Sequence, residues 1–271
     1  MKKLFLIFLC LLWSSYLFAN VDTLEGEAIT TSTTIEGVST TDTVEGQPVA
    51  SGQEGSFHIE FDSDTDWTNP AATYTMGGND YSDGASTGTV TGNVTRNTTE
   101  GEYISAGQSL QIDTAADGYI SFSATSIITL DKGEVHVNFY PQASTGYTYI
   151  FEAFGDVFNL LTIALRSGND IKVTHKGNGT QVDATNGGSF TDNQWNEVQV
   201  RWDASLGTSA GLQTRVCSDG TCDAESWVEE DDSDTVTPTT ADAVTFYLGG
   251  DTVITDEIEL DDITIYYDEW N

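Results

Sequence analysis

The sequence predicts an all-β, antiparallel sandwich or barrel. Apolar residues alternate with polar ones along many short runs, Gly, Asn and Asp punctuate those runs, and no long stretch has the spacing and caps of a helix. The 271 residues suit one or two ordinary domains, and one large sandwich can use them all. The formal charge of -34 does not make the chain disordered, because 12 Phe, 11 Tyr and 6 Trp supply a core.

The first element is not part of that fold. Met1-Lys2-Lys3 is a short positive region, and Leu4 to Trp13 is almost unbroken apolar sequence. Polarity returns at Ser14, Ser15 and Tyr16, and Leu17-Phe18-Ala19 ends in a small residue. This is the order of a secretory signal peptide over residues 1–19. The apolar run is shorter than the roughly 20 residues a spanning helix needs, so no membrane span is expected in the mature chain. The alternative is a retained N-terminal anchor. Cys10 follows the bulky pair Phe8-Leu9 and is expected to leave with the signal. The expected destination is the extracellular space, the cell surface or a periplasm.

Every Asp and Glu lies after the signal, whereas Lys2 and Lys3 lie within it, so the mature chain is still more acidic. Nucleic acids and anionic membranes need a basic footprint, and both are excluded as partners. Acidic polysaccharides are repelled unless cations bridge them. A neutral glycan, or an extracellular protein with a basic patch, fits better.

Residues 20–53 form a Thr/Glu/Gly-rich leader. It carries a degenerate echo at Thr23-Leu24-Glu25-Gly26, Thr34-Ile35-Glu36-Gly37 and Thr43-Val44-Glu45-Gly46. Each unit has too few apolar residues to bury a face, which predicts a flexible, solvated stalk. The alternative is a segment that adds strands to a neighbouring sheet edge, making the chain a self-associating subunit of a surface layer or filament.

The sandwich is expected over residues 54–271. Phe57, Ile59 and Phe61 share one face of its first strand, and Val135, Val137 and Phe139 share a face of another. Leu161, Ile163 and Leu165 form a stripe that continues, after the turn Ser167-Gly168-Asn169-Asp170, at Ile171 and Val173. Val198, Val200 and Trp202 alternate with Gln199 and Arg201; Val244, Phe246 and Leu248 alternate with Thr245 and Tyr247. In the last strand Ile258 and Leu260 have opposite parity to Ile263, Ile265 and Tyr267. A regular strand would send the two sets to opposite faces, so a β-bulge is predicted at Asp261-Asp262.

Cys217 and Cys222 flank Ser-Asp-Gly-Thr, and Asp219-Gly220 is a strong two-residue hairpin turn. That register places the cysteines opposite one another, where an exported protein forms a disulfide. It also sets Trp227 opposite Leu212. A zinc site is the alternative, but no His stands nearby to complete the shell.

Phe190-Thr191-Asp192-Asn193-Gln194-Trp195, running on to Trp202, resembles the strand entry of laminin-G-like, concanavalin A-like modules. Lys132 to Pro141 resembles their early central strand, and Glu257 to Tyr267 their closing strand, which pairs near the first. The resemblance spans roughly residues 55–271 and implies an antiparallel jelly-roll β-sandwich. Such folds serve lectins, adhesion modules, glycoside hydrolases and polysaccharide lyases, so the fold alone does not choose.

Four sets of residues are candidates for chemistry. Glu257, Glu259 and Asp262 are similar to the acidic strand of laminarinase-like glycosidases, where a retaining mechanism needs two carboxyl groups about 5–5.5 Å apart. The bland alternative is outward Glu alternating with core Ile and Leu, and it is favoured. A lyase needs Tyr, His, Arg and Gln to converge, which linear sequence does not reveal; His136 and His175 read as polar-face strand residues. Asp62, Asp64 and Asp66, and separately Asp231, Asp232 and Asp234, are oxygen-rich loops suited to Ca²⁺, with solvated loops as the alternative. For stacking on sugars, Trp67, Tyr74, Tyr81, Tyr147, Tyr149 and Trp227 lie in turn-rich or exposed-parity contexts, while Trp195 and Trp202 read as core. Asn93, Asn97 and Asn178 head glycosylation sequons. The favoured reading is a secreted, non-catalytic module that binds a neutral glycan or an extracellular protein, with calcium assistance. The alternatives are the structural subunit and a divergent glycan-cleaving enzyme.

Overall fold

The computed structural model describes residues 55–267 except 63–66, 69–72, 106, 114–117, 143–146, 179, 185–187, 207–210, 219–221, 223–225, 230–235, 237–242 and 251–256, together with the backbone of 34–35 and 38–39. The expected signal peptide, the Asp219-Gly220 turn, Asp64, Asp66, Asp231, Asp232 and Asp234 lie outside the described residues. The chain divides into two units, Met1–Gln53 and Glu54–Asn271. In the first, β1 (Thr34–Ile35) pairs antiparallel with β2 (Val38–Ser39).

The second unit begins with β3 (Phe57–Ile59), β4 (Thr73–Thr75), β5 (Tyr81–Ser82), β6 (Thr87–Gly92), β7 (Val94–Asn97), β8 (Ser109–Ile112) and β9 (Gly118–Ser123). Long strands follow: β10 (Lys132–Pro141), β11 (Thr148–Asp156), β12 (Asn159–Arg166), β13 (Asp170–Gly177), β14 (Thr180–Ala184) and β15 (Asn196–Asp203). The chain closes with β16 (Leu212–Cys217), β17 (Val228–Glu229), β18 (Thr245–Gly250) and β19 (Ile258–Tyr267). No helix occurs among the described residues.

Two antiparallel sheets result. One has nine strands in the order β17-β16-β15-β10-β19-β3-β5, with β8 also on β19 and β7 on β8. The other has eight, β14-β13-β12-β11-β18-β9-β6-β4. Phe57 of the first sheet meets Phe122 and Phe246 of the second at 5.2 and 5.0 Å between ring centroids, so the core lies between the sheets. The alternating stripes read from the sequence supply it, Trp202 included. Val244 is one exception at 58% exposure, because β18 starts one residue later.

The last strand carries its predicted bulge. Asn138 pairs with Asp261 but His136 pairs with Thr264, so β19 holds an extra residue there, and Asp262 takes a positive φ of 46°. Ile258, Leu260, Ile263 and Ile265 are all buried as a result. Beyond them Tyr267, at the strand's end, is exposed.

Cys217 and Cys222 form a disulfide with their Cα atoms 5.2 Å apart. The strand after it departs from the expected register. Thr214 pairs with Val228, three residues further along than a two-residue turn would set, and the Trp227 ring lies 4.5 Å from the Arg215 guanidinium instead of opposite Leu212.

Candidate functional site

The outer face of the nine-stranded sheet carries a row of side chains that antiparallel register assembles from distant parts of the chain. Tyr81 pairs with His58, His58 with Thr264, Thr264 with His136, His136 with Gln199, and Gln199 with Arg215. Each except Tyr81, which stands between Asp80 and Ser82, alternates with an apolar neighbour, and the bulge in β19 is what brings Thr264 into line. Six strands at about 4.8 Å spacing make the row roughly 24 Å long. At one end Tyr81 stacks on His58, with ring centroids 5.7 Å apart. At the other, the guanidinium groups of Arg201 and Arg215 lie 4.0 and 4.5 Å from the ring centre of half-buried Trp227.

Hydrogen bonds fix the row. His136 Nε2 is 2.6 Å from Glu134 Oε1, and its Nδ1 is 3.7 Å from Glu197 Oε1. Gln199 Nε2 donates to Glu197 at 2.5 Å and its Oε1 accepts from Arg215 Nε at 2.5 Å. Arg201 Nε donates to Gln213 at 2.7 Å, and His58 Nδ1 lies 2.9 Å from Thr264 Oγ1. Tyr266 closes on His136 at 5.2 Å. Burial, aided by the neighbouring Arg215 charge, pulls Arg201 below the ordinary arginine range against the pull of Glu134. Such a satisfied network is rigid and presents preset donors and acceptors.

The fold is shared with known proteins, although no family model and no curated protein matches the chain. It is similar to domain 4 of AbnA, a GH43 extracellular arabinanase from Geobacillus stearothermophilus solved with arabinotriose, with TM-score 0.51, 15% identity, and coverage of 78% of this chain and 91% of that one. It is also similar to the PL-14 alginate lyase of the marine Aplysia kurodai, with TM-score 0.47, 10% identity, and coverage of 64% and 86%. For the binding domain of botulinum neurotoxin DC in complex with SialylT, the TM-score is 0.48 and the identity 12%, with coverage of 68% and 44%. This chain is a β-sandwich of the jelly-roll type.

The sandwich separates the three acids of the glycosidase-like string. Glu257 and Glu259 share one amide, Gln142 Nε2, at 2.7 and 3.4 Å. Glu259 is 0% exposed, which corrects its reading as a solvated outward residue. Burial first, then the carboxylates of Glu102 and Glu257, pushes its acid up to about 7, with Gln142 opposing. An acid near 7 has the strength of a general acid, but one without exposed surface does not reach a glycosidic oxygen. Asp262 stands across the bulge, where His58, Glu60 and Asp262 offer ligand atoms all within 4.8 Å of one another, a group with the chemistry to take a cation.

The other sequence candidates are dispersed. Trp67 and Tyr74 are fully buried and pack on Phe61, so they are core and not sugar-stacking platforms. Turn-rich sequence around them suggested exposure, but the Tyr74 hydroxyl turns inward to Asp80. Tyr147 and Tyr149 form an edge-to-face pair at 5.2 Å on the eight-stranded sheet, away from Tyr81. Asp62 accepts from Asn79 N at 2.7 Å, and its other oxygen is buried without a hydrogen-bond partner. His175 is a core residue: it shares the parity of Ile171 and Val173, lies 2.8 Å from the Leu130 carbonyl through Nε2, and burial lowers it to about 4. Trp195 is only half-buried, against Tyr140. Asn97 is buried and donates to Glu102, which closes its sequon to a glycan.

Proposed function

We propose that this chain is an exported, non-catalytic carbohydrate-binding module that takes a neutral glycan along the row on its nine-stranded sheet. The observation that carries the reading is the register-aligned line from Tyr81 to Arg215, flanked by Trp227. Aromatic ends offer flat faces for sugar rings, and the Thr and His between them offer hydrogen bonds to hydroxyl groups, with buried Gln199 holding Arg215 in place. The fold neighbour solved with arabinotriose supports a sugar ligand on such a sandwich. A glycan array read with wild type, Tyr81→Ala and Trp227→Ala is the test. Each substitution is expected to weaken a neutral-glycan signal roughly ten-fold, the loss of one aromatic contact of about 1–1.5 kcal/mol. A signal that both variants leave unchanged would move the site elsewhere.

A second reading is favoured by one observation. The row gathers His136, Tyr266, Gln199, Arg201 and Arg215, the residue types that β-elimination on a uronate demands. Glu134 and Glu197 beside His136 oppose it by repelling a substrate carboxylate. Unsaturated product released from a uronate polymer by wild type, and lost in His136→Ala, would establish the lyase.

Calcium assistance belongs to the proposal, supported by the unpartnered buried oxygen of Asp62 and the oxygen-rich sequence after it. Millimolar Ca²⁺ is expected to raise the melting temperature relative to chelator by several degrees in wild type and by less in Asp62→Ala. Equal melting with Ca²⁺ and with chelator removes calcium from the account.

A further inference from the structure

The opposite face of the sandwich holds a cavity of about 370 Å³ lined by Tyr119, Tyr149, Glu152, Phe154 and Tyr247. Its construction follows from strand parity. Tyr119 alternates with buried Ile120 and Phe122 on β9, and Tyr247 alternates with buried Phe246 and Leu248 on β18. Tyr149, Glu152 and Phe154 come from β11, whose register shifts between Tyr149 and Phe151 and brings Tyr149 onto the face of Glu152. Glu152 pairs with Tyr247, and Tyr119 with Gly249. The glycine is obligatory there: its φ is 92°, and a Cβ would stand 2.4 Å from the Gly118 carbonyl oxygen.

The rings of its wall pack edge to face. Tyr119 and Tyr247 are 5.1 Å apart at 86°, and Phe154 and Tyr247 are 5.6 Å apart at 82°. Glu152, 7% exposed, is the sole carboxylate among the lining residues, and no lining residue is cationic. The nearby Lys172 is engaged by Asp183 at 3.1 Å on the neighbouring strands. Burial and the adjacent Tyr147 raise Tyr149 to about 12, so its phenol stays neutral at physiological pH. Aromatic faces carry negative quadrupole potential, and a carboxyl group beside them adds to it. A sugar hydroxyl gains little from that combination. A soft, weakly hydrated cation gains from both parts.

We propose that this cavity is a second binding site, for a methylated ammonium group held by cation–π contact with Tyr119, Tyr149, Phe154 and Tyr247 and by the charge of Glu152. The site is independent of the sugar row, being built on the other sheet. The same headgroup occurs on free choline, on trimethyl-lysine in peptides and on phosphatidylcholine. Calorimetry with the full-length protein compares tetramethylammonium and choline with 3,3-dimethyl-1-butanol, the uncharged isostere of choline. Saturable binding of the cations, at least roughly ten-fold tighter than of the isostere, is the expected result. A trimethyl-lysine peptide and phosphatidylcholine vesicles, run as further arms, identify the source. Glu152→Gln and Tyr247→Leu are each expected to weaken choline at least roughly five-fold, with near-ultraviolet circular dichroism verifying that each variant is folded. Choline binding no tighter than its isostere, or unchanged in both folded variants, overturns the proposal without touching the glycan reading.

Discussion

Replacing Trp202 by alanine is expected to destabilise the sandwich by about 3–5 kcal/mol. Trp202 is fully buried near the middle of the nine-stranded sheet, between Gly133 of β10 and Leu212 of β16. Its Nε1 donates to the Thr129 carbonyl at 3.0 Å. The fit is mutual: a Cβ on Gly133 would come within 2.6 Å of the indole, so the glycine exists to make room for the ring. Alanine leaves a cavity whose walls are pinned by two hydrogen-bonded strands and do not collapse. Against a domain stability on the order of 5–15 kcal/mol, the loss moves the urea midpoint far down. Trp202→Phe keeps most of the volume but leaves the Thr129 carbonyl without that donor, which predicts a smaller loss of about 1–3 kcal/mol. Equal midpoints for wild type and Trp202→Ala would mean that the two sheets do not pack through this residue.

That tryptophan was legible in the sequence because alternation is local: Val198, Val200 and Trp202 declare one face without knowledge of their neighbours. The bulge was legible for the same reason, since a parity change within one strand needs no second strand to detect. The row from Tyr81 to Arg215 was not. It depends on five pairings between segments up to 206 residues apart, and linear sequence does not state register. Trp227 shows how sensitive this is. The residues that bear the disulfide were identified, yet the strand behind it pairs three residues further along and the indole meets two arginines in place of Leu212. The aromatic cavity was half legible, because Tyr247 is assigned outward by parity while its meeting with Tyr119 and Glu152 depends again on register. Trp67 and Tyr74 failed differently. Their turn-rich surroundings are a property of the backbone, whereas their burial is decided by Phe61 and by each other.

The sandwich is expected to gain stability on acidification from pH 8 to pH 5. Three buried carboxyl groups outweigh buried His175, which burial lowers to about 4 and which costs stability below about pH 6.5. Burial pushes Glu259 and Asp261 each up to about 7 and Asp80 up to about 6. A carboxyl group whose pKa rises on folding binds its proton more tightly in the native state, so each group costs stability once the pH exceeds its unfolded value near 4. The cost grows until the pH passes the folded value and is constant above it. Stability therefore falls across pH 4–7 and is recovered as pH falls through the same window. For Glu259 the effect is on the order of 2 kcal/mol. Glu259→Gln isolates it. The amide oxygen still accepts from Asn97 and Gln142, and the amide hydrogens point where Glu259 Oε2 has no hydrogen-bond partner, near the carboxylates of Glu102 and Glu257 that raise its acid. The variant is expected to melt higher than wild type at pH 8, to match it near pH 4.5, and to show a flatter profile between. Parallel profiles for the two proteins would place the proton elsewhere.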